Sequence, residues 1–405
     1  MAATRRTFKL AIGGGALFVA ASLLWWLVAV PALVKYPSDL DVTSRYEGTL
    51  SLFVDPANGA PLATPQKLPL TMERHLQAQG DETGASRVVV NETITQKAGT
   101  VLSAVEHNAY VMDRRSMENV ADPRAYAFAP QNVVDRSGAY RLQLPMGTDG
   151  DGKYQVYKNE TGASYPLVGD PKDSTLEVEG LTLSNFNASA KDVPLSAAYL
   201  AGLRKILPLP TEVTFEQLKP QLAAAGIDFD KTLAGVVAVM SAEDRAALLG
   251  AMAKPLKMQY LSSFEGRVAV EPRTGTEVDI VGISETISAR PVIENFDQLQ
   301  GLLTKYIAEP AIQAAVPALT TLASAPANPL FKYDYTQTAA SVADIAAEAK
   351  DMRGQIALAE RWVPISLLVV GLLALLLAGG TRLRVNRLQV KLPSGSGSPS
   401  RPRTA

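Results

Sequence analysis

The sequence predicts an α+β membrane protein: two transmembrane helices flank a mixed, mainly antiparallel β ectodomain, sandwich or barrel-like, with a helical cap. Three observations predict it. Charge-free apolar runs stand near both ends, the acids are confined to the stretch between them, and that stretch alternates at strand period except for one block at helix period.

The second run, Trp362–Gly380, reads WVPISLLVVGLLALLLAGG between Arg361 and Arg382. At ~1.5 Å per residue it crosses a ~30 Å hydrocarbon core. Buried helices of soluble proteins seldom sustain so long an uninterrupted apolar run, and a signal peptide does not sit this near a C-terminus. The first run, Ala11–Val34, follows Arg5, Arg6 and Lys9 and precedes Lys35. A signal peptide is the competing reading here, with Val30-Pro31-Ala32 as a cleavage site. The length of the run and Trp25–Trp26 within it favour an uncleaved span.

Charge sets the expected orientation. Residues 1–35 and 361–405 hold no acid, and their 11 bases leave 28 Lys and Arg against all 40 Asp and Glu in residues 36–360, a balance of −12. Short basic flanks stay in the cytoplasm, which places both termini inside the plasma membrane and residues 36–360 outside. The expected division is a cytoplasmic tail at 1–10, a span at 11–34, and an extracytoplasmic α+β domain at 36–340 with a helical insert at 195–253. An amphipathic membrane-proximal helix at 341–360, a span at 361–381 and a disordered basic cytoplasmic tail at 382–405 complete it. An acidic middle argues against nucleic acid, which needs a basic face.

With no cysteine in the chain, disulfides, iron–sulfur clusters and thiol catalysis are excluded, and a domain of this length has to be held by its own core. Sequons at Asn91, Asn159 and Asn187 are read as chance occurrences in a bacterial envelope protein.

Strands are expected at Val42–Val54, Lys67–His75, Arg87–Thr95 and Thr100–Met112, separated by turns at 55–59 and 97–99. Shorter ones follow at Tyr140–Leu144, Tyr154–Tyr157 and Leu176–Phe186, with Gly180 marking a bulge or close approach. The character then turns helical over Leu195–Ile206, Thr214–Ala225, Lys231–Met240 and Ala242–Ala253, with Ser241 and Asp230 as caps. Strands return at Met258–Ser263, Arg267–Glu271 and Glu277–Ile287, followed by helices at Phe296–Ile307 and Ala311–Leu322 and a strand at Phe331–Thr336. In Ser341–Glu360 the residues Val342, Ile345, Ala349, Met352, Ile356 and Ala359 form a heptad seam, expected to pack on its own domain, with a partner helix as the alternative. Ala16 and Ala20 offer small-residue spacing for pairing the two spans.

Catalytic chemistry is not written in the sequence. The two histidines, His75 and His107, lie in expected strands outside any metal-binding pattern, and hydrolase and nucleotide-binding signatures are missing. Asp149-Gly150-Asp151-Gly152 resembles part of a calcium loop, but Lys153 stands at its fifth position, so a hairpin turn is expected. Arg114-Arg115 reads as a solvated strand end. No catalytic, cofactor-binding or metal-ligating residue is assigned, and the sequence does not name the ligand-binding residues.

Several segments together resemble a family of actinobacterial envelope proteins, the porin PorA family. They are Tyr36-Pro37-Ser38-Asp39-Leu40-Asp41, Tyr46-Glu47-Gly48, Phe53-Val54-Asp55-Pro56, Tyr140–Thr148, Ala163–Leu167, Val268–Gly275 and Arg361-Trp362-Val363-Pro364. The resemblance implies a two-span envelope protein; block 195–253 departs from its pattern. Tail, span, large β-rich ectodomain, span and tail are also similar in layout to the class B scavenger receptors, which carry lipid through an ectodomain tunnel.

Three functional readings follow. In the first, a non-enzymatic ectodomain binds or conducts a hydrophobic, lipid-like molecule, with residues 195–253 capping an apolar cavity of ~300 Å³ or more. The second is an oligomeric channel. A structural or assembly protein with a partner helix on residues 341–360 is the third. The partners implied are membrane lipids, the hydrophobic ligand, and a second copy or helix partner.

Overall fold

The computed structural model describes residues 2–389 apart from 225, 324 and 325. It divides into two compact units, Tyr36–Ala349 and a second made of the segments before and after it. Most of the basic tail expected at 382–405 lies outside the described residues.

The second unit is a pair of helices. α1 (Ala2–Leu24), a π-helical turn (Trp25–Ala29) and α2 (Val30–Leu33) form one arm. A π-helical turn at Leu358–Trp362 and α10 (Val363–Gln389) form the other. Two helices, Gly13–Leu33 and Ala339–Gly379, are long and apolar enough to cross a membrane. The arms run antiparallel and touch through glycine: a methyl at Gly15 would stand 2.8 Å from Leu375 Cγ, and one at Gly371 would stand 2.9 Å from Val19 Cγ2. Ala16 and Ala20 are exposed, so the pairing face is one residue off the expected one.

Tyr36–Ala349 is built on one curled half-barrel sheet, the barrel-like form of the two expected. Its strands are β1 (Asp41–Val54), β2 (Pro61–Ala78), β3 (Arg87–Ala98), β4 (Leu102–Asp113), β5 (Lys153–Lys158), β6 (Ala163–Gly169), β7 (Thr175–Val178) and β8 (Leu181–Pro194). β9 (Glu212–Val213), β10 (Leu256–Glu271), β11 (Thr276–Val292) and β12 (Asn328–Gln337) complete it. The order is β4-β3-β2-β1-β12-β11-β10-β8-β6-β5, all antiparallel, with β7 on β8 and β9 on β10.

Four expectations change. Tyr140–Leu144 is not a strand. Leu142 and Leu144 are buried, but the segment makes a single bridge, Tyr140 to Val156; Gln143 Nε2 donates to Thr274 O at 2.5 Å and Leu144 N to Gly275 O at 3.0 Å. Gly180 makes neither bulge nor close contact: Glu179 (φ +51°) and Gly180 (φ +74°) form the hairpin turn between β7 and β8, with the left-handed pair that two-residue hairpins use. Met258–Ser263 and Arg267–Glu271 are one strand, β10, bent by register shifts near Arg267. Finally, Arg114 is no solvated end: it is buried and donates from Nε to Tyr36 O at 2.8 Å, while Arg115 is exposed.

The helices are α3 (Ala197–Leu203), α4 (Phe215–Ala224), α5 (Phe229–Val239), α6 (Ala242–Met252), α7 (Phe296–Thr304), α8 (Pro310–Ala323) and α9 (Ala339–Ala357). Ser241 caps α6 as expected, accepting from Asp244 N at 3.1 Å. The cap of α5 is Asp228 rather than Asp230, accepting from Lys231 N at 3.0 Å. Only α3 joins the apolar cluster lining one end of the curl, through Tyr199 and Leu203 beside Leu50, Phe331 and Tyr333. α4 to α8 pack on one another instead, around Leu218, Val236, Leu248, Leu299 and Ile312. The first half of the heptad seam serves its own body: Ile345 and Ala349 are buried on Leu181, Leu183, Ala269 and Val278, with Val342 beside them.

Candidate functional site

Two places in Tyr36–Ala349 have a chemistry that packing alone does not call for. The first is an apolar pocket within the cluster of α4 to α8. Phe215, Leu222, Phe229, Leu233, Val236, Leu248, Met252, Leu303 and Leu319 are among its lining residues, and Thr232 brings the single hydroxyl. Its volume is about 90 Å³ and one side is open. α4 contains Pro220 and α8 contains Pro317, each unable to donate to the carbonyl four residues back, so two of the walls have a broken hydrogen-bond ladder. The ends are pinned: Tyr306 Oη donates to Asp244 Oδ2 at 2.7 Å and accepts from Ser241 N at 3.0 Å. Residues 195–253 were expected to cap an apolar cavity of ~300 Å³ or more; the space found here falls short of that size, and Leu299, Leu303, Ala315 and Leu319 from outside the block share its lining.

The second place is the inside of the curl. Inward-facing positions form two apolar ends, one around Leu50, Phe331 and Tyr333 and the other around Val88, Val90, Met112, Leu144 and Phe186. Between them lies a belt of charge. Arg74 Nε donates to Glu92 Oε1 at 2.7 Å, and Glu92 Oε2 accepts from Asn108 Nδ2 and Tyr110 Oη, both at 2.8 Å. Lys158 Nζ sits 2.8 Å from Glu285 Oε2 and 3.3 Å from Glu160 Oε2, and Ser262 Oγ donates to the other Glu285 oxygen at 2.7 Å. Glu277 lies 3.9 Å from Arg74. Arg74 Nη2 and Arg141 Nε have no hydrogen-bond partner among the described residues.

The belt also bridges the two ends of the strand order. β4 and β5 are opposite ends of the strand order, yet Asn159, just after β5, donates from Nδ2 to Tyr110 Oη of β4 at 2.8 Å. Arg136 clamps the junction. Its Nε donates to Asn159 Oδ1 at 3.0 Å, its Nη1 to Ala109 O at 2.9 Å, and its guanidinium stacks 4.3 Å over the Tyr110 ring. The Asn159 amide is therefore spent inside the fold, which removes that sequon from the surface.

Charges this deep shift one another. Burial pushes the Glu92 carboxyl up, but Arg74 and Arg141 outweigh it and hold it at about 2. Burial and then the neighbouring Glu160 and Glu92 carboxylates push Glu106 up to about 8, so it carries a proton at neutral pH. Glu106, Arg141, Lys158 and Glu160 are each half-buried.

Sequence reasoning gave none of these belt residues a functional role. A signal was there: Arg74 stands in phase with Leu70 and Leu76 on β2, and Glu92 with Val90 and Ile94 on β3, so each occupies an inward phase that should be apolar. Of the residues that were singled out, His75 pairs with Asp41 Oδ1 at 2.7 Å and His107 is exposed beside Thr93, both remote from chemistry. Asp149 Oδ1 accepts from Asp151 N at 3.1 Å, a turn-closing bond. Among the described residues no cluster of three or more metal-ligating side chains occurs.

The model of the family described as Porin PorA matches residues 9–379. The chain belongs to that family. No curated protein matches it. Membership of the Porin PorA family supports a channel or envelope role in outline. The sheet limits what kind of channel this PorA family member can form. Outward-facing Arg45, Glu47, Lys67, Glu73, Lys97 and His107 on β1 to β4 are exposed, whereas a barrel wall in lipid shows an apolar band. Each Arg or Lys at mid-membrane on such a wall would cost ~2–4 kcal/mol.

Proposed function

We propose that this protein is a non-enzymatic, membrane-anchored component of the bacterial cell envelope whose ectodomain binds a hydrophobic, lipid-like molecule. Residues 11–34 and 361–381 cross the plasma membrane as a pair, both termini are cytoplasmic, and residues 36–360 lie outside. The observation that carries the ligand reading is the open apolar pocket of α4 to α8. Exposed apolar surface costs ~25 cal/mol per Å² against burying it, and a concave patch of it is the usual mark of a ligand site. At about 90 Å³ it suits the end of a hydrocarbon chain rather than a whole lipid.

Extraction of the full chain in mild detergent, followed by mass spectrometry of bound lipid, tests this. A chain-bearing molecule should co-purify and should be lost from Val236→Trp, which fills the pocket. Recovery of equal lipid from wild type and variant would sink the pocket as the site.

The family favours a second reading, an oligomeric channel. Because the outward sheet face is charged, its membrane wall would have to come from terminal helices of several copies. Conductance by purified protein in a planar bilayer would favour this reading over the first.

A further inference from the structure

The pocket's rim carries information about the ligand's headgroup, an inference that rests on the ligand reading above. Phe215 and Phe229, both lining residues, stack with centroids 5.9 Å apart and planes at 19°. Lys219 Nζ lies 5.4 Å from the Phe229 ring centroid. That ammonium is already neutralised twice, by Glu216 Oε2 at 2.6 Å and Asp230 Oδ1 at 2.7 Å. Asp228 caps the start of α5, its carboxylate accepting from the backbone N–H of Lys231. Two carboxylates thus share one ammonium along this edge, within a stretch, residues 36–360, whose balance is −12.

An anionic headgroup arriving here would have to displace a carboxylate from Lys219 and would meet like charge from the other. A hydroxyl or ester meets no such penalty. Thr232, one helical turn beyond Asp228 on the capped end of α5, supplies a donor and acceptor for it. The walls interrupted by Pro220 and Pro317 have fewer backbone hydrogen bonds to break if a chain wider than the resting space enters.

We propose that the pocket takes the end of one acyl chain of an uncharged amphiphile, an alcohol, glyceride or other neutral ester, and discriminates against anionic amphiphiles with the same chain. The headgroup stays at the rim, beside Phe229 and Thr232.

Two photoactivatable probes with one diazirine-bearing chain test it, a monoacylglycerol and an alkylsulfonate that is anionic at every working pH. The full chain is placed in nanodiscs, irradiated with each probe, and the labelled peptides are quantified by mass spectrometry against an excess of unlabelled monoacylglycerol. Expected is competable labelling of peptides holding Leu233 and Leu319, ~3–10-fold stronger from the monoacylglycerol, the range that one incompletely screened like-charge contact gives. Replacing Glu216→Gln and Asp230→Asn together should raise the sulfonate signal toward the neutral one. Val236→Trp should abolish both; if its far-UV dichroism shows misfolding, Leu319→Phe, another lining position, serves instead. Equal or stronger sulfonate labelling in the wild type overturns the charge selectivity and leaves the pocket reading standing. Absence of competable label from either probe overturns the pocket reading, and this inference with it.

Discussion

Arg74 Nε and Glu92 Oε1 meet at 2.7 Å on the inside of the curled sheet, with 11 % and none of their side chains exposed. Both are held charged, Arg74 well above its ordinary range and Glu92 at about 2, in each case against the opposing effect of burial. Removing one partner of such a pair leaves an uncompensated charge, which costs ~3–5 kcal/mol. Arg74→Met should therefore lower the thermal midpoint by many degrees. Adding Glu92→Gln should restore part of it, because the stranded charge is gone while Asn108 and Tyr110 keep a hydrogen-bonding partner. A double variant as unstable as the single one would mean that the pair acts through shape alone.

Glu106 gives the body an opposite pH response to that of Glu92. Its folded value of about 8 lies above the ordinary glutamate value of 4.5, so the folded state holds the proton more tightly. Its contribution is complete below about pH 4.5 and is lost as pH rises through about 8. Discounted for its part exposure, the effect is on the order of 1–3 kcal/mol. Chemical denaturation at pH 5 and pH 9 should show stability falling with pH in the wild type, with a shallower fall in Glu106→Gln. For Glu92, with its folded value of about 2, the loss comes instead as pH drops below about 4.5.

The helix pair can be read independently of the sheet, since Trp25, Trp26 and Trp362 are the chain's three tryptophans and all lie in it. Gly371→Leu would drive a side chain into Val19 and the Gly15 carbonyl. Tryptophan emission in detergent should shift to the red, with the β signature in far-UV dichroism unchanged. Ala16→Leu, on the exposed face, should leave the emission alone.

The proposed topology is testable by labelling because the chain has no cysteine of its own. A single cysteine at exposed His107 should react with a membrane-impermeant maleimide in intact cells. One at Thr4 should react only after permeabilisation. The reverse pattern would invert the orientation drawn from charge.

The strands nearest the start of the body were legible because their partners are their neighbours in sequence: β1 to β4 form successive hairpins whose alternation shows in Thr, Val and Leu. Tyr140–Leu144 has the same alternation but finds no strand beside it; its apolar residues are buried by coverage rather than pairing. The belt was illegible for another reason. Lys158 and Glu285 stand 127 residues apart, and periodicity says which face a residue occupies, never which residue it will meet there. The helix pocket was half legible. Its apolar positions were visible, but whether they would cover the sheet or one another depends on helix packing that a pattern does not encode.

Each arm of the helix pair carries a π-helical turn, and the two stand opposite one another. Trp25 Nε1 donates to Ala359 O at 2.9 Å, Trp26 Nε1 to Glu360 O at 2.7 Å, and Ser22 Oγ to Pro364 O at 2.8 Å. A π turn holds one residue more than the α turn it replaces, so deleting that residue would close the turn to α geometry and move the groups that project from it, while leaving the helix beyond nearly in phase. The indoles would then miss their carbonyls. Residue counts in the two arms are thereby tied together: a length change in one arm is tolerable only with a compensating change in the other, however freely the individual apolar residues are exchanged.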